Sequence, residues 1–199
     1  MRLTLILILL AAFSCKQPVP TVTENVVEAT APTTTVVSST KPQPRVIDNA
    51  PSADFPFNVT LKDTEASLKN SNEIFKKNGK PTVLLFWLTT CPPCKMKMKA
   101  IKPLYSQWAE ESDFNIYAIS GDWSKNFEKF VTYTEAQDWP WPTYNDVNRG
   151  FREILPGGLN GYPQSFVFDK DGKLVYQDKR FRHGDEKRLY EQIKKACNS

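Results

Sequence analysis

Two cysteines separated by two prolines, Cys91 and Cys94, are the residues of this 199-residue chain most able to carry chemistry. An apolar run at residues 83–88 precedes them, and a helical pattern follows at once. A strand that delivers a C-x-x-C pair to the first turn of a helix is typical of a thiol–disulfide redox site. A stable buried disulfide is the alternative. A metal site is not expected, because zinc needs four ligands at tetrahedral spacing and the chain has few other cysteines or histidines.

Cys91 is predicted to be the attacking cysteine. It occupies the N-cap of the helix, where the helix dipole and unpaired amides stabilise a thiolate. Cys94 lies one turn further on the inner side and is expected to resolve the mixed disulfide. A capping side chain receives hydrogen bonds from N2 and N3, but N2 is Pro93, which has no N–H. We therefore predict a moderate Cys91 pKa and a reducing couple.

The surrounding pattern predicts alternating strands and helices. Predicted strands cover residues 57–61, 83–88, 114–120, 164–168 and 173–177, and predicted helices cover residues 65–77, 92–111, 124–137, a short segment capped by Asp146 and the end of the chain from Gly184. Asp171-Gly172 between the last two strands is a strong hairpin signal. Pro103 is expected to kink the helix after the cysteines. This order predicts an α/β sandwich with a mixed sheet.

Three motifs, in this order, resemble the TlpA/ResA-like thiol–disulfide oxidoreductases of the thioredoxin superfamily. They are Phe86-Trp87 before Cys91-Pro92-Pro93-Cys94, then Trp141-Pro142 with Asp146, then Gly161-Tyr162-Pro163 leading to Asp169 and Asp171-Gly172. The resemblance covers roughly residues 57–197. It implies a thioredoxin-like three-layer sandwich, with a central mixed β-sheet flanked by helices, and an enzyme that reduces protein disulfides.

The resemblance also assigns residues around the two cysteines. It implies a cis peptide bond before Pro163, which turns the backbone of Tyr162 toward an extended substrate. Thr90 and Pro92 are expected to contact the substrate as well. Residues expected to support the site structurally are Trp87, Pro93 and Trp141.

Two positions depart from the family pattern. Thr90 stands where the family usually has tryptophan, so an aromatic shield over the sulfur is missing. Leu85 stands where cytosolic thioredoxins place a buried acid, so no carboxylate of this strand can accept a proton. The proton acceptor is therefore unassigned.

The first quarter of the chain is predicted to serve export and attachment. Residues 1–15 indicate a signal peptide, because Arg2 precedes an apolar run too short to span a membrane. Residues 11–15 resemble a bacterial lipobox, which implies that Cys15 is lipidated and anchors the protein to a bacterial membrane. Residues 16–55 are rich in proline and threonine and are predicted to be a disordered linker. Residues 56–199 then form the thioredoxin-like domain.

These features predict a periplasm-facing enzyme of the cell envelope. Expected partners are protein disulfides, with apocytochrome c suggested by the resemblance, and a membrane-bound electron donor. No cofactor beyond the redox-active disulfide is expected, and the domain is expected to be a monomer. A net charge of +4, with no basic block beside stacking aromatics, argues against nucleic acid. The rival functions are a peroxiredoxin-like peroxidase, for which the required upstream proline is missing, and a non-catalytic binding module.

Several other side chains receive structural interpretations. His183 is expected in a solvated loop or a cap before the last helix, and Cys197 as a packing residue or a free thiol. The lysines interleaved in the helix after the cysteines are expected on a solvated face; they are Lys95, Lys97, Lys99 and Lys102. Of the aromatic residues that either line a groove or belong to the core, two are expected in the core; the set is Trp139, Trp141 and Tyr144.

Overall fold

The computed structural model describes residues 55–75 and 77–199, so the predicted signal peptide with Cys15 lies outside the described residues, as does nearly all of the predicted linker. The strands are β1 (Thr60–Lys62), β2 (Leu68–Asn70), β3 (Thr82–Trp87), β4 (Asn115–Ser120), β5 (Thr143–Asn145), β6 (Gln164–Phe168) and β7 (Leu174–Lys179). The helices are α1 (Ser71–Ile74), α2 (Pro92–Ile101), α3 (Tyr105–Glu111), α4 (Phe127–Gln137), α5 (Phe151–Ile154) and α6 (Asp185–Cys197).

The strands form one mixed sheet in the order β2-β1-β5-β4-β3-β6-β7. The β3–β4 and β4–β5 pairs are parallel and the other pairs are antiparallel. Parallel neighbours end at the same edge of the sheet, so the segments that follow β3 and β4 meet there. With helices on both faces, the arrangement confirms the predicted thioredoxin-like α/β sandwich.

Strand β3 lies between the two halves of the core, and all six of its residues are buried. Side chains alternate across a strand, so Val83, Leu85 and Trp87 pack with helices α2 and α6 in what we call the helix core. Leu84 and Phe86 point the other way, into a cluster that contains seven phenylalanines and that we call the phenylalanine core. A strand covered on both faces has a continuous run of apolar residues, which explains why the sequence predicts a strand at residues 83–88.

The predicted helix over residues 65–77 is wrong. Asp63 instead closes a turn, accepting hydrogen bonds from the backbone N–H groups of Glu65 and Ser67 at 3.1 and 2.8 Å. Strand β2 then returns antiparallel to β1. Only one helical turn follows, capped by the Asn70 side chain. Hydrogen bonds that nearby backbone N–H groups donate to Asp and Asn side chains compete with helix formation, and here the turn forms instead of the helix.

The helix predicted over residues 92–111 is divided in two at Pro103, where the sequence predicts a kink. Helix α2 ends at Ile101, a 3₁₀ turn covers Lys102–Leu104, and α3 continues from Tyr105. Among residues 55–75 and 77–199, no helix has the length and apolar character needed to cross a membrane.

The structure also moves one boundary of the domain. Phe55, placed at the end of the predicted linker, is 5% exposed and packs on Phe57 and Phe168 with ring centroids 5.7 and 4.9 Å apart. It therefore belongs to the phenylalanine core.

Candidate redox site

Cys91 and Cys94 form a disulfide at the start of helix α2. Cys91 is the N-cap, and its Sγ accepts a hydrogen bond from the backbone N–H of Cys94 at 3.2 Å. Pro92 and Pro93 occupy the first two helical positions and have no N–H, so the amide of Cys94 is the donor left in the first turn to cap the Cys91 sulfur. Cys91 is partly exposed whereas Cys94 is fully buried in the helix core. An incoming sulfur can therefore reach Cys91 and is shielded from Cys94.

A buried carboxylate holds the loop that leads to Cys91. Asp122 follows β4 and accepts hydrogen bonds from the backbone N–H of Thr89 at 2.8 Å, from the Thr89 hydroxyl at 3.0 Å and from the Ser120 hydroxyl at 2.7 Å. Burying a carboxylate is costly unless donors satisfy it, and three donors do so here. The sequence reasoning missed Asp122, although its place just after a predicted buried strand was a usable signal. Thr90 is exposed beside this anchor, and Pro92 is exposed on the other side of Cys91.

The Tyr162–Pro163 peptide is cis, as the resemblance implies. Gln164, the next residue, pairs with Phe86 near the end of β3, so Pro163 lies beside the strand that leads to the cysteines. The carbonyl of Pro163 accepts a hydrogen bond from the backbone N–H of Arg180 at 2.9 Å. Burial raises the pKa of the Tyr162 hydroxyl, with opposing contributions from nearby charges.

Gly121 provides the space for the Tyr162 ring. It follows β4, and its N–H donates to the carbonyl of Trp87 at 3.0 Å. A Cβ at this position would lie 2.7 Å from the Cζ atom of Tyr162. The glycine thus lets the ring pack against the backbone between the ends of β3 and β4.

Replacing Gly121 by alanine is expected to displace Tyr162 and to lower the free energy of unfolding by about 1–3 kcal/mol, the usual cost of overpacking. Urea unfolding followed by tryptophan fluorescence measures the change. Gly161→Ala is the matched control, because a Cβ there meets no atom within 4 Å. Equal stability of the two variants would show that the Tyr162 ring moves aside without cost.

The tryptophans predicted to support the site are buried. Trp87 is 1% exposed and packs near Phe130 and Tyr133, with ring centroids 6.2 and 5.7 Å away. Trp141 is 4% exposed and stacks on Trp139 at 5.7 Å. Both belong to the helix core that contains Cys94, with Trp139 packed against it, while Tyr144 packs against the phenylalanine core.

Lys97 is not on a solvated face, so that expectation is wrong for this lysine. Its side chain is 3% exposed, and its Nζ lies 2.6 Å from Oδ1 of Asp178 on β7. Asp178 pairs with Ser165 on β6, and Ser165 pairs with Leu85 on β3. Directly paired residues point to the same face of a sheet, so the carboxylate lies on the helix-core side, two strands from Leu85. A buried ion pair therefore lies one helical turn after Cys94.

The remaining candidate residues are not part of the redox site. His183 is exposed in the loop before helix α6. Cys197 is a free, partly buried thiol at the end of that helix, with its Sγ 3.7 Å from the carbonyl oxygen of Asp113. Within residues 55–75 and 77–199 no group of three or more His, Cys, Asp or Glu side chains is arranged to hold a metal ion.

Burial, with a smaller contribution from Asp113, raises the pKa of the Cys197 thiol. Because only the thiolate reacts, iodoacetamide is expected to label Cys197 in the folded protein several-fold more slowly than in urea at pH 8. Peptide mapping by mass spectrometry reads the labelling at this position alone. Labelling at the same rate in both conditions would contradict the raised pKa of the Cys197 thiol.

A family model described as the AhpC/TSA family matches residues 48–177, which is more than half of the chain. The chain belongs to the AhpC/TSA family. The chain is also 30% identical over 103 residues to a thiol–disulfide oxidoreductase ResA of Bacillus cereus, a match that covers 52% of this chain and 57% of ResA. The chain thus spans little more than half the length of this relative.

Solved structures share the fold of this AhpC/TSA member. A thioredoxin-like protein from Porphyromonas gingivalis matches with a TM-score of 0.61 and 27% identity, covering 71% of this chain and 91% of that protein. A thiol:disulfide interchange protein described as DsbE, from Chlorobium tepidum, matches with a TM-score of 0.59 and 22% identity, covering 78% of this chain and 99% of that one. The sequence match to ResA supports the TlpA/ResA-like resemblance found in the motifs, and the solved structures support its thioredoxin-like fold.

Proposed function

We propose that this protein is a thiol–disulfide oxidoreductase that reduces protein disulfides through Cys91 and Cys94. The observation that carries the proposal is the asymmetry of the pair: a partly exposed sulfur at a helix N-cap is bonded to a fully buried one. A purely structural disulfide has no need of an accessible sulfur at a helix terminus. Relatives named thiol–disulfide oxidoreductases support the same reaction.

The reaction begins from the reduced dithiol. The Cys91 thiolate attacks one sulfur of a substrate disulfide, so a Cys91–substrate bond forms and the other substrate sulfur leaves as a thiolate. Cys94 then loses its proton and attacks the Sγ of Cys91, which releases the second substrate thiolate. The substrate gains two electrons and two protons, and the enzyme is left with the Cys91–Cys94 disulfide. A dithiol donor must reduce it again; we assign this role to a membrane-bound electron donor.

The surface beside Cys91 suits an extended polypeptide. Among the described residues, none forms a hydrogen bond with the backbone N–H or carbonyl of Tyr162. An extended substrate can pair with these groups by strand addition, which supplies affinity without selecting a sequence. Exposed Thr90 and Pro92 then contact the substrate on either side of the attacked sulfur.

The two prolines favour a reducing couple. Since the Cys91 sulfur receives one amide hydrogen bond, its thiolate is stabilised less than at a cap with two donors. An oxidant such as DsbA stabilises its thiolate strongly and has a potential of roughly −120 mV. We infer a more negative potential here, which equilibration with glutathione measures; a value near that of DsbA would reverse the assignment.

We place this chemistry in the cell envelope. The lipobox-like segment supports lipidation of Cys15 and attachment to a bacterial membrane with the domain facing the periplasm. Apocytochrome c thiols are the candidate substrates that the family resemblance suggests, which would give the protein a part in cytochrome c maturation. No cofactor other than the disulfide is required for the reaction as written.

Insulin reduction tests the proposal. The full chain with dithiothreitol should accelerate the precipitation of insulin chains, and Cys91→Ser should abolish the acceleration, because the attacking sulfur is gone. A Cys197→Ser variant is the control and should retain it. If the unmodified protein fails to reduce insulin, the binding-module alternative is favoured. Peroxide consumption that depends on Cys91 would favour the peroxidase.

A further inference from the structure

A basic pocket adjoins the redox site. It has a volume of about 280 Å³ and is lined by Arg149, Arg152, Leu159, Asn160, Gly161 and Tyr162. Its last two residues directly precede Pro163, so any substrate strand paired with Tyr162 would pass its mouth. A Cβ on Gly161 would meet no atom within 4 Å, which shows that the backbone here borders open space.

The side chain of Arg149 is oriented by several contacts in this pocket. Its Nε and Nη2 atoms donate to the carbonyl of Gly121 at 2.9 and 2.8 Å, and its guanidinium lies 4.0 Å from the centre of the exposed Trp123 ring. Its backbone has a φ of +55°, a conformation that non-glycine residues rarely adopt and that is often found at functional sites. An arginine ordered in advance loses little entropy when it binds a ligand.

The two arginines of the pocket make no direct salt bridge: within the described residues, neither Arg149 nor Arg152 forms an ion pair within 4.0 Å. The charge of Arg149 does interact with that of buried Asp146, since burial raises the pKa of that carboxyl and Arg149 opposes the rise. A further cation, Lys179, donates to the Asn160 side chain at 2.6 Å. The buried acids on this side are Asp122 and Asp146. Their carboxylates already accept hydrogen bonds, from Thr89 and Ser120 at Asp122 and from the backbone of Gly150 and Phe151 at Asp146.

The lining also has an apolar part. Leu159 is 5% exposed, and Tyr162 presents a largely buried ring. Such a wall suits the methylene groups of a side chain whose end carries charge, and guanidinium groups pair well with carboxylates. A glutamate side chain has both features.

We propose that this pocket binds an acidic side chain, glutamate or aspartate, that lies close in sequence to the disulfide of the substrate polypeptide. This inference rests on the proposed function, since it names a substrate class for the same site. The pocket makes the protein selective for the side chain at one position of the substrate, whereas backbone pairing with Tyr162 does not select a side chain. Disulfides beside acidic residues are then reduced faster than those beside neutral or basic ones.

The test uses short cyclic disulfide peptides with capped ends, so that no terminal carboxylate competes. A set with glutamate, glutamine or lysine at each position flanking the cysteines is reduced by the full-length protein, and kcat/KM is measured. At one flanking position we expect glutamate to exceed glutamine by roughly fivefold, in line with a partly exposed charge pair, and to lose this advantage in high salt. Arg152→Gln should lower the glutamate-to-glutamine ratio of kcat/KM toward one. Arg182 is an exposed arginine outside the pocket, so Arg182→Gln should leave this ratio unchanged.

The outcomes separate the two proposals. If none of the peptides is reduced, the oxidoreductase function fails. If all are reduced but glutamate and glutamine peptides react alike at every position, the pocket proposal alone is overturned. A glutamate preference that survives both Arg149→Gln and Arg152→Gln also overturns it, because the preference then arises elsewhere.

Discussion

Replacing Asp178 by leucine is expected to lower the free energy of unfolding by about 3 kcal/mol, because it leaves the Lys97 ammonium buried without a counter-charge. Lys97→Met should cost a similar amount, because it leaves the Asp178 carboxylate without its counter-charge. The double replacement should cost less than either single one, since well-packed apolar residues can substitute for a buried ion pair with little loss. Urea unfolding of all four proteins gives the coupling free energy directly.

The exposed pair Lys80–Asp113 provides the control for this cycle. Its atoms lie 2.7 Å apart, but the two side chains are 40% and 75% exposed, against 3% and 15% for Lys97 and Asp178. Lys80→Met should therefore change stability by less than about 1 kcal/mol. If Asp178→Leu lowered the free energy of unfolding as little as Lys80→Met, the prediction would be wrong, because the Lys97 ammonium would then reach water in the variant.

Replacing Cys94 by serine should convert the protein from a catalyst into a trap. Cys91 can still attack a substrate disulfide, but no second thiol lies behind it to break the mixed bond. Incubation of the reduced variant with insulin should leave most of it as a covalent adduct, at least roughly tenfold more than the unmodified protein retains, because the resolving step is lost. Non-reducing electrophoresis measures the adduct, and peptide mapping assigns its sulfur.

Two controls accompany this trap. The Cys91→Ser variant should form no adduct, because the buried position of Cys94 keeps a substrate sulfur away. Cys197→Ser combined with Cys94→Ser should trap as well as Cys94→Ser alone. An adduct that maps to Cys197 would contradict the assignment of Cys91 as the nucleophile.

Local patterns predicted much of the fold. Strand β3, the hairpin of β6 and β7 and the break at Pro103 depend on neighbouring residues, whose apolar runs, Asp-Gly turn and missing N–H act within a few positions. The predictions failed where short-range signals competed. The helical pattern over residues 65–77 lost to the turn built on Asp63, and the three-residue strand β5 is too short to have a period of its own.

The sequence by itself determined the chemistry of this protein: two cysteines at a strand–helix junction, with a proline removing one of the amides that would cap the nucleophile. Tertiary structure decided what surrounds that chemistry. The carboxylate that anchors the loop before Cys91 comes from Asp122, 33 residues after Thr89, and the counter-ion of Lys97 is 81 residues away. Such partners meet only after the sheet sets the order of its strands, because residues distant in sequence leave no periodic pattern that links them.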